Sequence, residues 1–151
     1  MSEVTRIIDQ LNRAFEGGAW HGPSVKELLS GVTADKAAAQ PVTGAHSIWE
    51  LTLHIAAWES AALRRLNGDA ANLSDDEDWP AVNDRSSDAW QRTIASLERG
   101  HLKLAERISR LSDSDLNATA TGQSTSVYFL LHGVIQHSLY HAGQIALLKK
   151  A

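Results

Sequence analysis

Four segments of the chain repeat apolar residues at the spacing of an α-helix, and this pattern limits the fold more strongly than any other feature. The segments cover residues 2–16, 46 or 47–67, 87–111 and 126–149. Apolar residues that recur every three or four positions lie on one stripe of a helix, which must be buried against a partner. No convincing strand, internal repeat or low-complexity segment accompanies them. The sequence therefore predicts an all-α, antiparallel four-helix bundle in which residues 1–151 form a single domain.

Three polar connections join the predicted helices, at 19–41, 68–86 and 113–126. Single helical turns fit at 24–29, 34–39 and 114–116. The second connection is the least helical part of the chain. About twenty residues without periodicity inside a compact domain usually form a functional loop, a crossover or a poorly ordered segment. We expect its acidic run, 75–78, to be solvated, and the sequence leaves open whether Trp79 packs over one end of the bundle.

Charge and composition exclude several classes of protein. The net charge of -4 and the pI near 5.9 predict no nucleic-acid partner, because phosphate contacts need a basic patch. No apolar run approaches the ~20 residues that cross a bilayer, and the N-terminus lacks a signal-peptide pattern. We therefore expect no membrane partner and a cytoplasmic location. The absence of cysteine leaves histidine and carboxylate as the only ligands for a transition metal.

The strongest local signal is the pair His137 and His141. Residues four apart on a helix lie about 40° apart on one face, with roughly 5–6 Å between Cβ atoms, so the two imidazoles can bind one ion. Such a pair also arises by chance in a chain with seven histidines. The zinc-protease motif needs glutamate directly after its first histidine, and Ser138 occupies that position, so peptidase chemistry is disfavoured.

A third metal ligand must come from another helix, and His54 is the best placed candidate. Helical projection puts His54 on the flank of the apolar stripe of the second long helix, where a lone histidine is commonly a hydrogen-bonded core residue. His101 competes for the same role, as a ligand, as a group behind the ligands or as a core histidine, and we favour the last. The remaining histidines are interpreted as incidental: His21, His46 and His132.

Two glutamates of the second long helix are candidate catalytic residues. Glu50 precedes His54 by one turn and could accept its free ring N–H, as metal-bound histidines usually require, although an exposed glutamate is the simpler interpretation. Glu59 projects into the middle of the apolar stripe, where an unpaired carboxylate is expensive to bury. Either the helix is less regular there, or Glu59 has a partner such as an arginine or His101; an acid or base role is the alternative. The pocket candidates are Trp58, Gln144 and His101, and ordinary packing explains the first two equally well.

Two stretches of the chain carry a family resemblance. The segment HSIWELTLHIAAWE begins at His46, and HGVIQHSLYHAGQI begins at His132. Together with the Asp-Trp-Pro of the second connection, they resemble the DinB-like (YfiT-like) superfamily of small helical metalloproteins. The resemblance implies a four-helix bundle of variant up-and-down topology, commonly dimeric, and a divalent metal held by the triad His54, His137 and His141.

The resemblance does not decide whether the protein is an enzyme or a non-catalytic binding module. It implies a metal-dependent transferase that uses a low-molecular-weight thiol such as bacillithiol or mycothiol, or a hydrolase. Three histidines with an open position can polarise a substrate, or lower the pKa of a bound water or thiol. The alternative is a non-catalytic, stress-related module that binds metal or a small molecule. Zinc or nickel is the expected ion, because nitrogen ligands select weakly among such metals. Three protein ligands beside a pocket would favour catalysis, and a fourth protein ligand would favour a structural ion.

Overall fold

The four predicted long helices are all present. The computed structural model describes residues 1–151, which form seven α-helices and no strand. In chain order these are α1 (Glu3–Phe15), α2 (Val25–Leu29), α3 (Ala34–Ala38), α4 (Ile48–Leu66), α5 (Asp75–Asp78), α6 (Ser87–Ser109) and α7 (Val127–Leu148). A 3-10 turn covers Asp115–Asn117, and one isolated β-bridge joins Thr119 to Ser126. The all-α prediction is therefore confirmed.

Serine side chains start each long helix. The hydroxyl oxygens of Ser2, Ser47, Ser86 and Ser126 each accept a backbone N–H three residues further on. These bonds satisfy donors that the first helical turn leaves unpaired. They explain why the predicted helix starts lie within a residue or two of the observed ones.

The second connection is more ordered than the sequence predicted. Residues Asp75–Asp78 form the short helix α5, and Ser74 and Glu77 close a capping box at its start. The sequence analysis did not predict this turn, and the rest of 68–86 is non-helical. The Ser-x-x-Glu pattern at 74–77 was the signal for it.

The long helices pack as neighbours around a common interior. α4 and α1 each pack against both α6 and α7. The short helices cover one end, where α2 packs on α7 and α3 contacts α4 and α6. The up-and-down order stays a prediction. No helix combines the length and the apolar content that crossing a membrane requires.

The interior consists of two apolar clusters with polar side chains between them. One cluster contains Ile55 and Leu97, and the other contains Ala62 and Leu104. Between these positions, α4 places Glu59 and α6 places His101, both almost fully buried. A buried polar group that lacks a hydrogen bond is costly, so these side chains need partners within the interior.

Glu59 and His101 are partners of each other. Nδ1 of His101 lies 3.2 Å from Oε1 of Glu59, and its Nε2 lies 3.2 Å from Oδ1 of Asn12. The imidazole also stacks on Phe15, with 3.9 Å between ring centroids. The structure therefore places His101 as a hydrogen-bonded core histidine, as the sequence favoured. It also supplies the partner that Glu59 was expected to need.

A close backbone approach at Gly122 generates a stability prediction. Gly122 has a φ of +72°, and a Cβ there would lie 2.7 Å from Cα and Cβ of Ala70. Gly122→Ala should therefore lower the free energy of unfolding by about 2–3 kcal/mol, measured by urea denaturation. The matched control is Gly100→Ala in α6, where a Cβ meets no atom within 4 Å. That variant should gain about 0.5–1 kcal/mol, and equal effects in the two variants would contradict the prediction.

Candidate metal centre

Three imidazoles meet at one point between α4 and α7. Nε2 of His137 lies 3.0 Å from Nε2 of His54 and 3.1 Å from Nε2 of His141. The ligand atoms of all three residues lie within 4.8 Å of one another. A tetrahedral ion with metal–nitrogen bonds of about 2.0–2.1 Å separates its nitrogen ligands by about 3.3–3.4 Å. Two of the three separations are therefore close to the value for one shared ion, and the third pair of ligand atoms lies within 4.8 Å, so one divalent ion could join all three after the rings adjust.

Hydrogen bonds on the outer ring nitrogens orient two of these histidines. Nδ1–H of His54 donates to the main-chain carbonyl of Asp78 over 2.8 Å. Nδ1–H of His141 donates to Oε1 of Gln144 over 2.6 Å. In the neutral rings the protons then sit on Nδ1, so both Nε2 lone pairs point at the same place. Converging lone pairs repel one another without a cation, and metal-binding histidines are commonly held in this way.

His137 completes the set as a neutral ligand. Burial, and then the neighbouring His141 and His54, lower the pKa of His137 from 6.5 to about 3. Burial also lowers the pKa of His141, although the hydrogen bond to Gln144 acts in the opposite direction. Nδ1 of His137 is buried and has no hydrogen-bond partner. A metal ligand must be unprotonated, and both shifts favour that form.

The short helix α5 brings two further residues to the centre. Oδ1 of Asp78 lies 3.1 Å from Nδ1 of His54 and accepts the indole N–H of Trp58 over 2.7 Å. Trp79 stacks on His54 with 3.8 Å between ring centroids and an interplanar angle of 5°. The imidazole of His46 also stacks on Trp79, with 3.6 Å between ring centroids, so Trp79 packs between two histidines. His46 is therefore not incidental, although the sequence analysis expected it to be. Asp78, the last residue of the acidic run, is also not simply solvated, because it contacts Trp58 and His54.

The candidate carboxylates lie elsewhere. Oε2 of Glu50 accepts the backbone N–H of Ser47 over 2.7 Å and so caps α4. Backbone and side-chain hydrogen bonds from Ser47 lower the pKa of Glu50 against the opposing effect of burial, which is the largest single influence. Asp78, rather than Glu50, lies at the outer nitrogen of His54. Glu59 is paired with His101 in the interior, away from the triad.

Two cavities border the histidines from different sides. One of about 450 Å³ is lined by Trp79, His141 and Gln144, among others. The second, of about 260 Å³, is lined by Trp58 and His137. Gln144 lines the first of these cavities and Trp58 the second, and each also makes a hydrogen bond. A larger cavity of about 780 Å³ lies between the α2–α3 segment and α6, and none of the three histidines lines it.

Fold and site together define an all-helical protein with a three-histidine cluster suited to a metal ion. The family model of the DinB superfamily matches residues 9–145. The chain therefore belongs to the DinB superfamily, as its motifs indicated. No curated protein and no solved structure matches it.

The contact of Asp78 with His54 predicts an effect on metal affinity. Asp78→Ala should weaken zinc binding about tenfold, because a carboxylate that orients a ligand is removed while the main-chain carbonyl of residue 78 remains. The measurement is competition with a zinc-binding dye. Asp76→Asn is the matched control, since Asp76 is an exposed residue of the same short helix. Equal affinities for the Asp78 variant and the wild type would contradict the assignment.

The lowered pKa of His137 predicts how acid affects the metal-free protein. Below pH 6.5 the unfolded chain binds a proton at His137 that the folded chain binds only near pH 3. Stability present at pH 7 is therefore lost as the pH falls. Between pH 7 and pH 5 the wild type should lose about 2 kcal/mol more than His137→Phe, by urea unfolding. Equal losses of unfolding free energy in the two proteins would show that the fold does not lower the pKa of His137.

Proposed function

We propose that this chain is a metal-dependent enzyme in which His54, His137 and His141 hold one divalent ion, zinc or nickel. The observation that carries the proposal is the ligand count. Three imidazole nitrogens converge, no fourth metal-binding side chain joins the group, and two cavities border it. Closed sites with four protein ligands are typical of structural zinc, whereas three ligands beside a cavity are typical of catalytic zinc.

The reaction we favour is transfer to or from a low-molecular-weight thiol, with hydrolysis as the other reaction of the same class. The bound ion would supply Lewis-acid chemistry, polarising a substrate or lowering the pKa of a thiol or water. The chain holds its ligand rings in position through Asp78 and Gln144. Trp79 covers one face of His54 and limits the access of solvent there. Because the chain contains no cysteine, any thiol must come from a small molecule.

A non-catalytic metal-binding or small-molecule-binding module is the second candidate. It is favoured by the engagement of both candidate carboxylates, since Glu50 caps α4 and Glu59 pairs with His101. Neither is available beside the triad as a general acid or base. The enzyme proposal therefore requires the ion itself to activate the reacting group, which three-histidine sites can do.

We further propose that the chain is a homodimer built on a four-helix bundle of variant up-and-down topology. Phe129, Tyr140 and Leu147 are each more than 60% exposed on α7. Their separations of eleven and seven residues bring the three side chains to one side of a helix, within about 20°. An apolar stripe of this kind supports a partner surface on α7.

The test is metal analysis of the purified protein. Wild type should bind one equivalent of zinc or nickel, whereas His54→Ala should retain less than about a tenth of that at equal free metal. His21→Ala is the control, because His21 is exposed and lies outside the cluster. Full metal occupancy in His54→Ala would show that His54 is not a metal ligand.

Metal-loaded protein is then screened for conjugation of thiols to an electrophilic reporter and for ester or amide hydrolysis. Activity that follows metal occupancy across the wild type, His54→Ala and His21→Ala supports the enzyme. Full occupancy without any such activity favours the binding module.

A further inference from the structure

Arg65 is a buried cation that no carboxylate of the chain neutralises. The residue is 7% exposed, and no ion pair within 4.0 Å involves it. By contrast, the side chain of the neighbouring Arg64 is 40% exposed and pairs with Asp69 and Glu77. Burial, and then the charge of Arg64, lower the pKa of Arg65. Buried charges are normally paired, so an unpaired guanidinium beside a cavity indicates a ligand that carries the opposite charge.

Arg65 has unused hydrogen-bonding capacity. Nη2 donates to the main-chain carbonyl of Ala71 over 3.1 Å, and Nε donates weakly to that of Ala70 over 3.4 Å. Nη1 donates to no atom of the chain. It is also not among the buried polar atoms that lack a partner, so it retains accessible surface. A guanidinium carries five N–H donors, which leaves the Nη1 group free for an acceptor in the cavity.

The cavity that Arg65 lines is the 260 Å³ cavity bordered by His137. The indole of Trp58 forms the wall between the two residues. The guanidinium carbon of Arg65 lies 5.5 Å from its ring centroid, and the imidazole of His137 lies 5.8 Å from it. Phe129 adds a second aromatic wall, and Gln123 and Thr125 add neutral polar groups. A molecule held at Arg65 would therefore lie along an aromatic surface that leads to a metal ligand.

We propose that this cavity, the Arg65 pocket, binds the carboxylate of a small organic substrate and directs the rest of the molecule towards the three histidines. The inference deepens the proposed function, on which it rests, by naming a substrate class. Arg65 is the only cation that lines the pocket, so a singly charged group matches it better than a phosphate dianion. Guanidinium and carboxylate also match in geometry, as planar groups that form charge-assisted hydrogen bonds.

The test uses benzoate as the probe and benzamide as its uncharged counterpart. Benzoate has a planar apolar body that fits between aromatic walls and a single carboxylate. Dissociation constants are measured by NMR titration of the tryptophan indole N–H signals, with Trp58→Phe assigning the signal of the pocket. Zinc-free wild type should bind benzoate at least about tenfold more tightly than benzamide, because only benzoate offers a charged acceptor to Arg65.

Variants at two adjacent arginines separate this role from a structural one. Arg65→Met should weaken benzoate binding at least about tenfold, whereas Arg64→Met should leave it unchanged. Circular dichroism checks that each variant folds. If Arg65→Met does not fold, benzoate affinity is measured for Arg65→Lys instead. The wild-type comparison of benzoate with benzamide then tests whether the charge of the probe matters. If Arg65 has only a structural role, the wild-type protein should bind benzoate and benzamide equally.

Two outcomes of the zinc-free titration overturn the inference: no benzoate binding at 10-fold molar excess over a millimolar protein sample, or equal binding of the two probes. A repeat with zinc-loaded protein gives the third, which is benzoate binding that appears only with zinc and is unchanged in Arg65→Met. The last would mean that the carboxylate binds the ion. Because the titration uses zinc-free protein, its result is independent of the metal analysis. Failure of zinc binding with Arg65-dependent benzoate binding would overturn the proposed function alone.

Discussion

The interior of this protein is organised by polar side chains buried between two apolar clusters. Helices α6, α4 and α7 contribute the buried groups His101, Glu59 and Ser138, and the half-buried Asn12 of α1 lies 3.2 Å from His101. Sliding one helix by a turn would move a carboxylate or an imidazole into an apolar cluster and leave its partner unsatisfied. We infer that this requirement fixes the relative heights of the helices, and with them the height at which the histidines of α4 and α7 meet.

The metal centre uses the same part of α7. His137 and His141 flank Ser138, so one face of the helix serves the interior while its edge serves the site. Oε2 of Glu59, Nδ1 of His137 and Oγ of Ser138 are all buried without a hydrogen-bond partner. Such atoms are rare in folded proteins, and the one in His137 belongs to one of the three converging imidazoles.

Sequence reasoning reached the long helices and the His137–His141 pair because both follow from local spacing, whereas His54 was chosen by helical projection and by the family resemblance. Apolar periodicity located the helices, and the four-residue spacing of His137 and His141 placed two imidazoles on one face. The role of Glu50 was misjudged by overlooking a local rule, since Ser47-x-x-Glu50 is a capping box. The contacts of Asp78 could not be found in this way. They depend on how a long connection returns across α4, which packing decides and periodicity does not describe.

Arg65 shows the same limit in a sharper form. In the sequence it is the second of two adjacent arginines near a helix C-terminus, where cations suit the helix dipole. Only the fold distinguishes the half-buried, paired Arg64 from the buried, unpaired Arg65. The indole of Trp58 then connects the two halves of the site, because its N–H donates to Asp78 while its ring faces Arg65 and His137. A carboxylate bound at Arg65 would therefore lie beside Trp58, whose indole N–H donates to Asp78, and the main-chain carbonyl of Asp78 in turn accepts the ring N–H of His54.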